Sequence, residues 1–192
     1  MKVLGSIVIV IGIIGLYFGV DNYVYDMKPE AGYVTHEDGD MDLKFEYRDD
    51  TTGYVLQELE IEDRESGFMK GYQLMLKEDY AELELSDAPR DGPPTIAIIT
   101  YENDSNLTPE VWAEENPIYS NIAIALEEPT EYSVDGVMAT RYMVDGLYRS
   151  DIVLVSKNNL IYMFSGSFLT EDSAVRRDYE PLLNSIEFLP IN

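Results

Sequence analysis

The sequence predicts an α+β protein: an antiparallel β-sheet with helices packed on it, preceded by one transmembrane helix. Three observations predict it. Residues Val3 to Val20 form an apolar run without a single charge. From Leu43 onward, apolar and polar residues alternate with period two in short stretches separated by turn-forming residues. Two segments, one after Asn106 and one after Thr170, carry helix-start signals instead. Strands joined mostly by hairpins, with few helices, point to α+β rather than to a parallel sheet.

The first element is the anchor. Val3 to Val20 reads VLGSIVIVIGIIGLYFGV, with Ser6 and Tyr17 as its polar interruptions. As a helix it spans roughly 27 Å, close to the hydrocarbon thickness of about 30 Å. A soluble helix would show a polar face, and this segment has none. Lys2 precedes it, whereas Asp21, Asp26 and Glu30 follow. The positive-inside rule therefore predicts a cytoplasmic N-terminus and an extracytoplasmic remainder in a single-pass cell-membrane protein. A cleaved signal peptide needs small residues one and three positions before the cut, and a cut after Gly19 puts Tyr17 at the third. A prepilin-like cut near Gly5 lacks the early acidic residue expected in the apolar run. The reading adopted is an uncleaved signal-anchor contacting membrane lipid through residues 3–20. Gly5, Gly12, Gly15 and Gly19 fall within an arc of about 80° on that helix. Gly15 and Gly19 make a GxxxG pair, which permits close helix approach. Either this is the glycine content common in such helices, or it is a packing seam for self-association or a protein partner.

Residues 21–42 read as an acidic tether, with Pro29, Gly32 and Gly39 as punctuation and no sustained period. Within it Asp38, Asp40 and Asp42 resemble the opening of a calcium loop and are weak metal candidates. Leu43 stands where that loop requires glycine, and Asp49 where it requires glutamate, so a solvated linker is the favoured reading.

The domain is expected over 43–192. Leu43 to Arg48 alternates; Asp49 to Gly53 is a turn, and Tyr54 to Ile61 a second strand pairing with the first. Gly71 to Leu76 and Thr95 to Tyr101 are further strands, separated by a charged stretch and the Pro-rich Ser86 to Pro94. Thr108 caps a helix, Pro109 suits its first position, and Trp112 on it is a core plug in preference to a ligand platform. Four strands follow: Glu131 to Val134, Gly136 to Val144, Tyr148 to Ser156 and Leu160 to Phe168. Their hairpin turns fall at Asp145-Gly146 and Lys157-Asn158-Asn159. The last helix starts near Thr170, with Glu171 and Asp172 in its first turn and Val175, Tyr179, Leu182 and Ile186 on one stripe. Pro181 predicts a kink or restart. Arg176 and Arg177 are read as partners of Glu180 or Asp172 on the same helix, or as an anion dock.

Composition narrows function by exclusion. The chain has 192 residues, 45% of them hydrophobic, enough for one domain with a core beside the anchor. No cysteine is present, which removes disulfides and thiol chemistry. One histidine, His36, falls in the tether, which leaves the domain without a Ser-His or His-rich metal site. The formal charge of −24 repels phosphate backbones, so nucleic acid is not an expected partner.

Three stretches resemble the PsbP-like family, which includes the Ran-binding Mog proteins. They are the opening strand Phe45-Glu46-Tyr47, the segment Leu107-Thr108-Pro109-Glu110-Val111-Trp112 after Ile96-Ala97-Ile98-Ile99, and a longer C-terminal set. That set comprises Val137 to Tyr142, Asn159 to Phe164, and Tyr179 to Phe188. The resemblance implies an α/β/α sandwich and a non-enzymatic binding or assembly role. No cofactor is expected. The metal-linked histidine sites of photosystem members have no counterpart in these motifs, and Ran binding is not carried over. Function must come from a site. The leading expectation is an anchored extracytoplasmic interaction or assembly module. The alternative is a cation or small-ligand binding protein of the cell envelope. A hydrolase with paired carboxylates ranks last.

Overall fold

The computed structural model describes residues 32–60, 67–85 and 91–190. The expected anchor, with Gly5, Gly12, Gly15 and Gly19, and residues 21–31 of the expected tether lie outside them. No helix among the described residues is long and apolar enough to cross a membrane.

The order of elements is β1 (Tyr33–Asp38), β2 (Leu43–Arg48), β3 (Tyr54–Glu58), β4 (Phe68–Leu76), α1 (Lys77–Glu84), β5 (Thr95–Glu102), α2 (Pro109–Glu115) and α3 (Pro117–Ser120). A 3-10 turn at Ile122–Ile124 follows, then β6 (Thr130–Val134), β7 (Val137–Asp145), β8 (Arg149–Lys157), β9 (Leu160–Phe168), α4 (Ala174–Asn184) and β10 (Glu187–Phe188). Seven strands make one antiparallel sheet in the order β3-β4-β5-β9-β8-β7-β6. A smaller antiparallel sheet has the order β1-β2-β10.

The central strands are apolar on both faces because both faces are covered. On β8, Val153 and Val155 join one core and Ile152 and Leu154 the other. On β9, Tyr162 and Phe164 face the first, Ile161 and Met163 the second. The first core is closed by α4 and the small sheet through Val175, Tyr179, Leu182, Leu43 and Phe45. The second is closed by α2 through Trp112 and Ala113, with Trp112 3% exposed as the expected core plug. Each such side chain contributes about 1.5–3 kcal/mol of transfer free energy. The result is a helix–sheet–helix sandwich.

Several expectations are met closely. Leu43–Arg48 and Leu160–Phe168 are strands over the expected residues. Thr108 caps α2, its hydroxyl accepting from the Val111 amide. Asn158 and Asn159 take positive φ in the β8–β9 turn, the conformation a two-residue hairpin loop requires.

Other expectations are corrected. Tyr33–Asp38, read as tether, is a strand paired with β2 from Tyr33↔Arg48 to Asp38↔Leu43. Its more buried positions include His36 and Asp38, which are polar, so no apolar alternation announced it. Tyr54–Glu58 does not pair with β2; it pairs with β4 and starts the other sheet. Gly53 makes that switch possible, since a Cβ there would overlap the Arg48 carbonyl. The charged stretch after β4 is helix α1, which buries no residue and so shows no helical apolar period. Helix α4 starts after Ser173, whose hydroxyl accepts from the Arg176 amide, while the Thr170 hydroxyl donates to Asp172. Glu171 and Asp172 thus precede the helix. It continues through Pro181 without the restart that was one of the two expected outcomes, and Pro181 lies exposed.

Candidate functional site

The acidic loop is the first candidate. Asp38, at the end of β1, is 7% exposed. Its Oδ1 accepts from the amides of Asp40 and Met41, and its Oδ2 from the Tyr72 hydroxyl. Lys70 Nζ lies 2.7 Å from Oδ2. Burial works to raise the Asp38 carboxyl, but the hydrogen bonds from Lys70, Tyr72 and the two amides outweigh it and hold it at about 2. Asp40 is exposed, 3.3 Å from the same lysine, and Asp42 takes a positive φ at the end of the turn. The geometry makes Asp38 a loop staple whose charge Lys70 already balances. Among the described residues no group of three or more His, Asp or Glu side chains is placed to hold a metal ion.

His36 belongs to the same corner, on β1 and not in a tether. Its ring meets Phe45 and Tyr72 with centroids 5.2 and 4.7 Å away. The Nε2 atom is buried without a hydrogen-bond partner among the described residues. Burial lowers the imidazole pKa below its ordinary value; Asp38 and Glu58 oppose that shift and Lys70 adds to it.

The second cluster ties α4 to the sheet. Asp151 on β8 is 1% exposed. Arg141 on β7 donates to both its oxygens, Nε to Oδ1 at 2.9 Å and Nη2 to Oδ2 at 2.6 Å. Arg176 Nη1 donates to the same Oδ2 at 2.7 Å. Arg141 also reaches Glu180 at 2.7 Å, and the Tyr132 hydroxyl donates to Glu180 at 2.9 Å. Burial pushes the Glu180 carboxyl up, but the bonds from Arg141 and Tyr132 prevail and lower it. Arg176 therefore pairs across elements with Asp151, and with Glu171 just ahead of α4, instead of with Glu180 or Asp172. Arg177 donates to the Asp172 backbone carbonyl, not to its carboxylate. The sequence carried one signal for this cluster: a charged Asp151 immediately before the apolar run Ile152-Val153-Leu154-Val155.

A third feature is a groove on the α2 face of the sheet. One cavity of 420 Å³ lies between the start of α2 and strands β6 and β7, lined by Leu107, Pro109, Glu110, Glu131, Met138 and Thr140 among others. A second, of 220 Å³, continues past Glu110 and Thr140 to Ala113, Glu114, Ile122 and Glu128. Met138 on β7 is 70% exposed there. The trough mixes apolar side chains with Thr108, Thr140 and Ser156, and carboxylates stand along it.

No protein-family model matches the chain, and no curated protein matches it. Among solved structures, the cyanobacterial PsbP protein (CyanoP) of Synechocystis sp. PCC 6803 aligns with a TM-score of 0.54 and 12% identity. That alignment covers 92% of this chain and 99% of CyanoP. A protein of Bacteroides thetaiotaomicron aligns with a TM-score of 0.47 and 13% identity, over 81% of this chain and 48% of its own. The C-terminal motifs that carried the resemblance fall on β7, the β8–β9 turn with β9, and α4 with β10. The chain has the PsbP-like fold, an antiparallel sheet with helices packed on it.

Proposed function

We propose that this chain is a membrane-anchored extracytoplasmic module for protein interaction or assembly, without catalysis of its own. One contrast carries the reading. The buried carboxylates, Asp38 and Asp151, are bound by Lys70 and by Arg141 with Arg176 as structural ties. Large apolar side chains instead stand exposed along the α2–α3 side: Ile118 at 83%, Ile124 at 47% and Met138 at 70%. The PsbP-like fold is compatible with this role, and the uncharged run from Val3 to Val20, behind Lys2 and ahead of Asp21, supports the location.

The test uses the full chain in its own membrane. Protease added outside intact cells is expected to digest the domain, and mild crosslinking to yield a stable adduct with a membrane protein. A domain protected from outside protease, or a clean monomer under several crosslinkers, would sink the proposal.

A further inference from the structure

We infer that the groove beside α2 receives a segment of a protein partner that presents apolar side chains flanked by lysine or arginine. This rests on the interaction-module reading and names the partner's chemistry. The lining offers Leu107, Pro109, Ala113, Ile122 and Met138, with the buried Thr140 shared by both cavities. The rim offers Glu110 and Glu114, one turn apart on α2, and Glu128 and Glu131 on the β6 side. All four are exposed, and none has an ion-pair or hydrogen-bond partner among the described residues. Unpaired carboxylates are common on a chain with 37 acidic and 13 basic residues. What marks these four is that they stand on both sides of a trough that also exposes apolar side chains.

Charge selects the occupant. A second copy of the chain brings a formal −24 to a rim of glutamates, and an anionic lipid surface is repelled in the same way. A basic, apolar protein segment is attracted by the rim and sheds water against the apolar side chains of the lining. At Met138 capture is by side chains, because the β7 backbone is already paired with β6 on one side and β8 on the other.

The test uses the full chain in phosphatidylcholine nanodiscs. A photoreactive benzoylphenylalanine replaces Met138, or, as control, Met69 on β4, which is 52% exposed with three strands between it and β7. The probes are a Lys/Leu decapeptide and its Glu/Leu and Lys/Ser counterparts. The Lys/Leu peptide is expected to label the 138 position at concentrations about ten-fold lower than either counterpart, and to spare the 69 position. Each exposed ion pair accounts for about two- to five-fold in affinity. The combined variant Glu110→Gln, Glu114→Gln, Glu128→Gln, Glu131→Gln should therefore weaken labelling at least about ten-fold while keeping the near-ultraviolet dichroism of buried Trp112. Equal labelling at both positions, equal response to the Lys/Ser peptide, or indifference to the four substitutions overturns the inference. The same photoprobes in native membranes separate it from the broader reading. A partner crosslinked from 69 but not from 138 rejects the groove and leaves the module standing, whereas no adduct from any exposed position rejects both.

Discussion

Gly166 on β9 lies directly beneath the Tyr179 ring of α4. A Cβ at position 166 would stand 2.6 Å from Cγ of the tyrosine, closer than packed atoms tolerate. Tyr179 is fully buried, and its hydroxyl donates to the Phe164 carbonyl at 2.9 Å. The ring has no room to retreat, so the glycine sets how closely the helix sits on the sheet. Gly166→Ala should destabilise the protein by about 1–3 kcal/mol, the usual cost of overpacking. Unchanged urea unfolding of the alanine variant would show that α4 is not seated by this contact.

Asp151 is the shared acceptor of Arg141 and Arg176. Asp151→Asn keeps the shape but leaves two guanidinium groups without their buried counter-charge, and the expected loss is about 3 kcal/mol. Arg176 also has Glu171, so Arg176→Gln alone should cost less. A double-mutant cycle between Asp151 and Arg176 should report a coupling of about 1 kcal/mol or more. Additive effects would mean that the Asp151–Arg176 pair does not help to seat α4, leaving its apolar stripe and the Arg141–Glu180 contact.

The Asp38 staple makes stability depend on acid. Its carboxyl falls from the ordinary 3.8 to about 2 in the folded protein. The folded state therefore holds the proton less readily than the unfolded chain. The associated stability, about 1–2 kcal/mol after allowance for screening, is complete above pH 4 and lost as pH falls from there toward 2. Asp38→Asn should flatten that part of the pH–stability curve, and Lys70→Met should reduce it. An unaltered slope in both variants would remove the staple from the account.

His36 acts in the same direction at higher pH. Its pKa is lowered, chiefly by burial, so between its folded value and about 6.5 the unfolded chain binds a proton that the folded chain does not. Stability should decline as pH drops below about 6.5 and level off once the folded imidazole also titrates. His36 is the only histidine in the sequence, so its ring resonances give an unambiguous titration curve. A midpoint at or above 6.5 would contradict the buried, unpartnered Nε2.

The sequence by itself determined elements whose cause is local or periodic. The β8 and β9 runs, the Thr108-Pro109 helix start, the Asn158-Asn159 turn and the buried stripe of Val175, Tyr179 and Leu182 are all legible in consecutive residues. It also showed that disulfide and thiol chemistry are unavailable, because those depend on residue type alone. Only the tertiary structure decided which strands pair and which charges meet. β1 was hidden because its more buried side chains are polar and find partners on distant β4, as Asp38 does with Lys70 and Tyr72. The partner of β3 is not legible in the sequence because the chain changes sheets at Gly53, where one turn serves either topology. Helical spacing matches Arg176 to its own helix, whereas its carboxylate lies 25 residues upstream on β8. Sequence spacing reports only neighbours along the chain, whereas ion pairs and grooves are set by residues that the folding of the sheet brings together.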